Sequence, residues 1–297
     1  MSNKPRKMTL EKKHNLTGWA FLAPATFLIA VFSFWPMIKA LVLSFQTGKG
    51  RNMQMAGFTN YIRLFQDDVF IQSIKNTFFY FILQVPIMLV VAMVLACILN
   101  KKDLRFKGFF RTMIFLPCTT SLVAYSIIFR SLFANDGLVN YVLVNLGILD
   151  KPYNFLTQPF AAKMVIILAL LWRWTGYNMV FYLAGLQNIE YSVYEAAKID
   201  GANGWKTFWK ITVPLLKPTI IMTFIMSING TLQLFDESVN LTKGGPANST
   251  ITMSHYIYNT CFINVPNFGY AAAMSFIIFI MVAVLAFINL KVGDTRD

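Results

Sequence analysis

Six runs of mostly apolar residues, at 19–45, 76–99, 109–133, 161–186, 218–235 and 271–290, dominate this chain. A membrane-spanning helix needs about 20 such residues, so each run reads as a span. The fifth reaches that length only if it continues back toward Pro214. Charged residues make up only 13% of the sequence and the mean hydropathy is +0.54. A soluble domain is normally about a quarter charged, so this chain has too little charge to cover a water-facing surface. The expectation is an all-α, polytopic membrane protein. A six-helix domain over 18–290 would be flanked by a cytoplasmic segment 1–17 and a cytoplasmic tail 291–297, with no soluble domain.

The placement of charge says more than the net +13. With the N-terminus inside, the inner segments hold sixteen basic residues, among them Lys101, Lys102, Arg105, Lys107 and Arg111. The outer loops hold eight, and Lys39 and Arg173 lie within apolar runs. Positive-inside bias therefore predicts cytoplasmic termini and a cytoplasmic 190–217 loop. Basic loops beside spans are topology signals and lipid-headgroup contacts, so no nucleic-acid partner is expected. The first apolar run is far longer than a signal peptide's and lacks a small-residue cleavage site, so it reads as a helix that stays.

Little here suggests catalysis or metal chemistry. Cys97, Cys118 and Cys261 are scattered, without disulfide or metal spacing. His14 and His255 are isolated and read as solvent or interfacial residues. Gly204-Trp205-Lys206-Thr207 lacks the remainder of a phosphate-binding loop, and Trp205 separates its glycine from its lysine. No catalytic residue, metal site or cofactor of the chain's own is expected.

The 190–217 segment is polar and lies between the fourth and fifth runs. It contains Glu195-Ala196-Ala197-Lys198-Ile199-Asp200-Gly201-Ala202 and then Ile211-Thr212-Val213-Pro214. Good helix formers at 193–199, with Ala196 and Ala197 keeping one side thin, predict a helix that Gly201 ends. A second short helix is expected over 205–211, with Val213-Pro214 opening the next segment. Tied to spans at both ends, such a helix–turn–helix could tilt them when pushed.

The spacing of Glu195, Ala196, Ala197, Gly201, Ile211 and Pro214 resembles the EAA loop of bacterial ABC importer permeases, with Val213 in place of the usual Leu. The stretch Gly244-Gly245-Pro246-Ala247-Asn248-Ser249-Thr250 is similar to a segment of carbohydrate-importer permeases of the maltose-transporter type, as are Phe58-Thr59-Asn60-Tyr61 and Asn76-Thr77. The resemblance implies a type I importer fold in its compact six-helix form, in a bacterial inner membrane. It implies a second homologous permease, two cytoplasmic ATPase subunits that bind ATP and Mg²⁺, and an external sugar-binding protein. It also implies that Glu195 to Trp209, including Asp200 and Ala202, docks into the ATPase, and that sugar moves by alternating access. An importer of a non-sugar solute such as a glycerol phosphodiester, or an ion-coupled carrier or channel, stays open as an alternative.

Polar and aromatic groups inside spans mark a candidate path, since buried polarity in a membrane is costly. The fourth run carries Arg173, Trp174, Tyr177 and Asn178. The fifth carries Ser227, Asn229, Gly230 and Thr231. Aromatic faces with a few hydrogen-bonding groups suit a sugar. Arg173 could bind an anionic sugar, pair with Asp236 or Glu237, or snorkel outward. Elsewhere, Pro24, Pro36, Pro86 and Pro117 predict kinks. Residues 61–74 predict a short interfacial helix, 138–146 a helix after Asn135-Asp136-Gly137, and Gly-Gly-Pro a turn.

Overall fold

The computed structural model describes residues 10–49, 52–101 and 103–293. Residues 1–9 and 294–297, parts of the expected terminal segments, lie outside the described residues, as does Lys102. Four helices are long and apolar enough to cross a membrane alone, namely α1 (Leu10–Ser44) and three that follow. Two bent helix pairs bring the candidate spans to six. Residues 10–17 belong to α1, so the first helix starts earlier than expected.

A short antiparallel hairpin, β1 (Gln46–Lys49) and β2 (Asn52–Met55), follows α1 and departs from an all-α expectation. The expected helix over 61–74 is instead two pieces, α2 (Thr59–Leu64) and the start of α3 (Asp68–Asn100). Asp67 divides them, because its carboxylate accepts from the Val69 and Phe70 N–H groups and caps α3. The 33-residue α3 is about 50 Å long, more than a bilayer core needs, and Pro86 sits inside it without ending it.

The third run is bent by 99° between α4 (Lys107–Thr119) and α5 (Leu122–Leu132). Pro117 withholds a donor in the last turn of α4. The Thr119 and Thr120 hydroxyls turn back onto the Leu116 and Pro117 carbonyls, which competes with continued helix. Then come α6 (Leu138–Asn145) and α7 (Pro159–Gln187). The second bent pair, α9 (Gly204–Leu215) and α10 (Lys217–Leu232), meets at 70° after α8 (Tyr191–Ile199). The last helices among the described residues are α11 (Met253–Tyr258) and α12 (Phe268–Gly293).

Two of the four π turns among the described residues, Ala30–Phe34 in α1 and Phe208–Thr212 in α9, each end two residues before a proline. In each, the following N–H reaches back five residues, from Trp35 to Ala30 and from Val213 to Phe208. The shifted register reduces the demand on Pro36 and Pro214, which have no N–H to give. The helix therefore runs through Pro214, and the break falls at Leu216 rather than at Val213-Pro214.

The core is α3 against α7. Val85, Met88, Leu89, Ala92 and Ala96 pack on Met179, Tyr182, Leu183 and Leu186, with Leu216 between them. Lipid is as apolar as these side chains, so close packing and buried hydrogen bonds hold the helices together. The Tyr182 and Thr223 hydroxyls bond at 2.9 Å between α7 and α10. Gly176 of α7 lies so near α4 that a Cβ would stand 1.9 Å from the Ile114 carbonyl oxygen.

At the end opposite α8, residues distant in sequence meet. The Asn76 side-chain amide donates to the Asn248 and Ile251 carbonyls, and the Met253 N–H donates to Thr77 Oγ1. Asn60 donates to the Ser44 and Gln46 carbonyls. The Asp67 carboxylate accepts from the Tyr256 and Tyr270 hydroxyls, both at 2.6 Å, which ties α3, α11 and α12 together. His255 is buried and bonds Ser238 at 2.8 Å, so it is not the interfacial residue its sequence suggested.

Candidate solute cavity and coupling loop

A cavity of ≈ 300 Å³ opens where α3, α7 and α10 converge. Six of the eight expected solute residues line it: Trp174, Tyr177 and Asn178 from α7, and Ser227, Gly230 and Thr231 from α10. The helical spacing of 174, 177 and 178 turns those three side chains to adjoining faces. Trp174 and Tyr177 meet edge to face with ring centroids 5.8 Å apart, one rigid aromatic wall.

Arg173 and Asn229 do not line it. Arg173 is 5% exposed, and its guanidinium donates to the Thr120 carbonyl at 2.8 Å, the Cys118 carbonyl at 3.3 Å and the Pro117 carbonyl at 3.4 Å. Its plane lies over the Tyr125 ring at 4.8 Å. It makes neither the ion pair with Asp236 or Glu237 nor the outward snorkel that the sequence allowed. Its charge caps the carbonyls that the bend after α4 leaves without helical partners. Asn229 is exposed and accepts a hydrogen bond from Gln233.

Sequence reasoning missed two walls. Gln84 and Met88 of α3 line the cavity, and the Thr231 hydroxyl donates to Gln84 Oε1 at 3.2 Å. Gln84 is a buried amide in the middle of an apolar run, a signal that could have found it. Asp236 and Glu237 line the other end, where the Tyr125 hydroxyl donates to Glu237.

The 190–217 loop is a helix–turn–helix, α8 then α9. Gly201 has φ +73°, the left-handed geometry that favours glycine, and its N–H bonds the Lys198 carbonyl while the Ala202 N–H bonds that of Ala197. The second helix begins at Asn203, whose side chain accepts from the Lys206 N–H. The Tyr194 and Thr212 hydroxyls, 3.4 Å apart, tie the two helices together. Ala197 is buried, so only Ala196 of the pair faces outward, while Glu195, Asp200 and Gly201 are exposed. Ala202 and Ile211 are half-buried and Pro214 is exposed. Ile199, Trp205 and Trp209 are 86%, 70% and 50% exposed. The loop also walls a cleft of ≈ 1080 Å³, in which Glu195, Lys198 and Ala202 face Asn100, Lys101 and Asp103. Among the described residues no group of His, Cys, Asp and Glu could hold a metal ion.

Residues 68–293, which include both the cavity and the loop, match the family of binding-protein-dependent transport system inner membrane components. The chain belongs to that family. This inner membrane component is 54% identical over 292 residues to the lactose transport system permease protein LacF of Rhizobium radiobacter, covering 98% of each chain. It is 33% identical to the arabinooligosaccharides transport system permease protein AraP of Bacillus subtilis, covering 93% of this chain and 88% of that one. It shares its fold with a chain of a bacterial ABC transporter involved in the import of the acidic polysaccharide alginate, at a TM-score of 0.84 and 24% identity over 96% of this chain and 98% of that one. The type I importer fold expected from the sequence is therefore the fold observed.

Proposed function

We propose that this chain is the transmembrane permease subunit of an ATP-driven sugar importer, and that α8 and α9 couple partner ATPases to the cavity between α7 and α10. One observation carries the reading. The exposed helix–turn–helix is joined through short breaks, after Gln187 and at Leu216, to two of the helices that wall the cavity. An exposed patch of Ile199, Trp205 and Trp209, which the described residues leave uncovered, suits insertion into a partner cleft. Glu195 would offer its carboxylate to a basic group there. The sugar transport names of the relatives support the solute class.

The proposed assembly holds a second homologous permease, two cytoplasmic ATPase subunits and an external sugar-binding protein. One solved relative is a bacterial alginate ABC transporter in complex with an alginate pentasaccharide-bound periplasmic protein, which supports the last of these. ATP and Mg²⁺ belong to the ATPases, and this chain needs no cofactor of its own. Both termini and the coupling loop face the cytoplasm, with the Asn76, Asp67 and His255 contacts outside. ATP binding would close the ATPases and push α8, tilting α7 and α10 so that the cavity opens outward. Hydrolysis would reset it.

Trp174, Tyr177, Asn178, Ser227, Gly230 and Thr231, with Gln84, would hold the sugar. Arg173 is a positioning residue for the α4–α5 bend. The test is uptake by proteoliposomes that hold the assembled importer and its binding protein. ATP-dependent accumulation of a sugar supports the reading. Uptake driven by an ion gradient without ATP would instead make the chain a carrier.

A further inference from the structure

We propose that Tyr80 is the outer plug of the solute path, and that its hydroxyl bonds the entering sugar once the plug opens. This assignment rests on the sugar-importer reading above, including which end of the molecule faces outward. Asn76, Tyr80, Gln84 and Met88 recur every four residues on α3 and share one face. All four are buried. Asn76 holds the Asn248 and Ile251 carbonyls at the outer end, whereas Gln84 and Met88 line the cavity. Tyr80 therefore stands between the outer contacts and the cavity, about 6 Å along the helix axis from both Asn76 and Gln84.

The surroundings of Tyr80 close the path. Its side chain is 0% exposed and belongs to a cluster with Tyr125, Phe129, Leu170, Leu234 and Leu241. Leu170 and Leu234 also line the cavity, so the cluster caps the outer end of the cavity. Leu170 belongs to α7, and Leu234 lies just beyond α10. The tilt of α7 and α10 in the proposed cycle would part this cluster and uncover Tyr80.

The hydroxyl sets Tyr80 apart from a packing residue. It has no hydrogen-bond partner among the described residues. Its neighbours on the same face, Asn76 and Gln84, are both paired. An orphaned hydroxyl is costly to bury, and a phenylalanine would fill the same space without that cost. Opening the path relieves the cost, because the hydroxyl then meets a solute rich in hydroxyl groups. A phenol both donates and accepts, so it can pair with a sugar hydroxyl in either sense.

The test labels Tyr80→Cys with a membrane-impermeant maleimide added outside right-side-out vesicles that hold the assembled importer and its binding protein. Mass spectrometry of the peptide carrying position 80 separates this site from Cys97, Cys118 and Cys261. Labelling is expected in vesicles loaded with AMP-PNP and is expected to be lost in vesicles without nucleotide. Equal labelling in both states, or none in either for an importer that copurifies intact, overturns the plug. Tyr80→Phe keeps the packing and isolates the hydroxyl. Its KM for ATP-driven lactose uptake is expected to rise by about two- to tenfold, the worth of one neutral hydrogen bond. Its thermal midpoint without nucleotide should not fall, because no bond is lost in the closed state. An unchanged KM or a lowered midpoint overturns the role of the hydroxyl. Labelling needs no sugar, so failure of the plug leaves the sugar reading standing. Absence of ATP-driven uptake of both lactose and arabinotriose by the unaltered importer instead overturns the sugar reading, and the hydroxyl contact with it.

Discussion

Arg173 reaches from α7 to the Thr120 carbonyl at 2.8 Å, across the 99° bend that divides the third span. One buried cation thus serves the loose end of α4. Arg173→Met keeps much of the packing and removes the donors, leaving the carbonyls of Pro117, Cys118 and Thr120 poorly satisfied. Each such group costs about 1–3 kcal/mol when buried. The expected outcome is a clear fall in the thermal midpoint of the detergent-purified protein. An unchanged midpoint would remove Arg173 from this role.

Gly176 tolerates no side chain in place. A Cβ there would meet the Ile114 carbonyl oxygen at 1.9 Å and its carbon at 2.7 Å, both backbone atoms that cannot turn aside. Gly176→Ala must separate α7 from α4 and shift Trp174 and Tyr177 with them. Overpacking of this kind costs about 1–3 kcal/mol. Weaker sugar binding with a lowered thermal midpoint is the expected pair of readouts.

Asp67 carries a pH dependence. Burial pushes its carboxyl up, but hydrogen bonds from Tyr256, Tyr270 and the Phe70 and Val69 N–H groups outweigh that and leave it below its ordinary value of 3.8. A group depressed by folding contributes stability above its unfolded value and loses it as pH falls through the folded one. The contribution is thus complete above about pH 4 and fades in stronger acid. Asp67→Asn should lower stability at neutral pH and flatten the acid limb of an unfolding profile. A limb of unchanged steepness would assign the acid sensitivity elsewhere.

Gly201 gives a test of the turn alone. No atom lies within 4 Å of a Cβ built there, so Gly201→Val is resisted only by its φ of +73°. Left-handed geometry costs an ordinary residue roughly 1–2 kcal/mol. The variant should reach the membrane and still bind sugar, yet lose ATP-driven uptake because α8 and α9 no longer hold their angle. Full uptake would mean the turn angle carries no work.

The helix–turn–helix of 190–217 was largely legible in the sequence because its signals are local: helix formers, a glycine at the turn and a proline beyond. The break at Leu216 was not, because the π turn that accommodates Pro214 reflects backbone register rather than residue type. Polar residues in spans pointed to six of the sixteen residues that line the cavity, those on α7 and α10. Arg173 was readable as unusual but not as a cap, since its partners are carbonyls exposed by a bend that apolar periodicity does not encode. His255 meets Ser238 only because the chain folds back over seventeen residues, which isolated histidines do not reveal.

The central claim is that ATPase work enters through α8 and α9 and reaches the cavity. Sugar uptake and ATP hydrolysis measured together, in proteoliposomes holding the importer with Glu195→Ala or Ile199→Asp, test it most directly. Charging or truncating a docking anchor costs 2 kcal/mol or more, so uptake should fall by at least about tenfold while sugar binding persists. Normal ATP-driven uptake in both variants would contradict the claim.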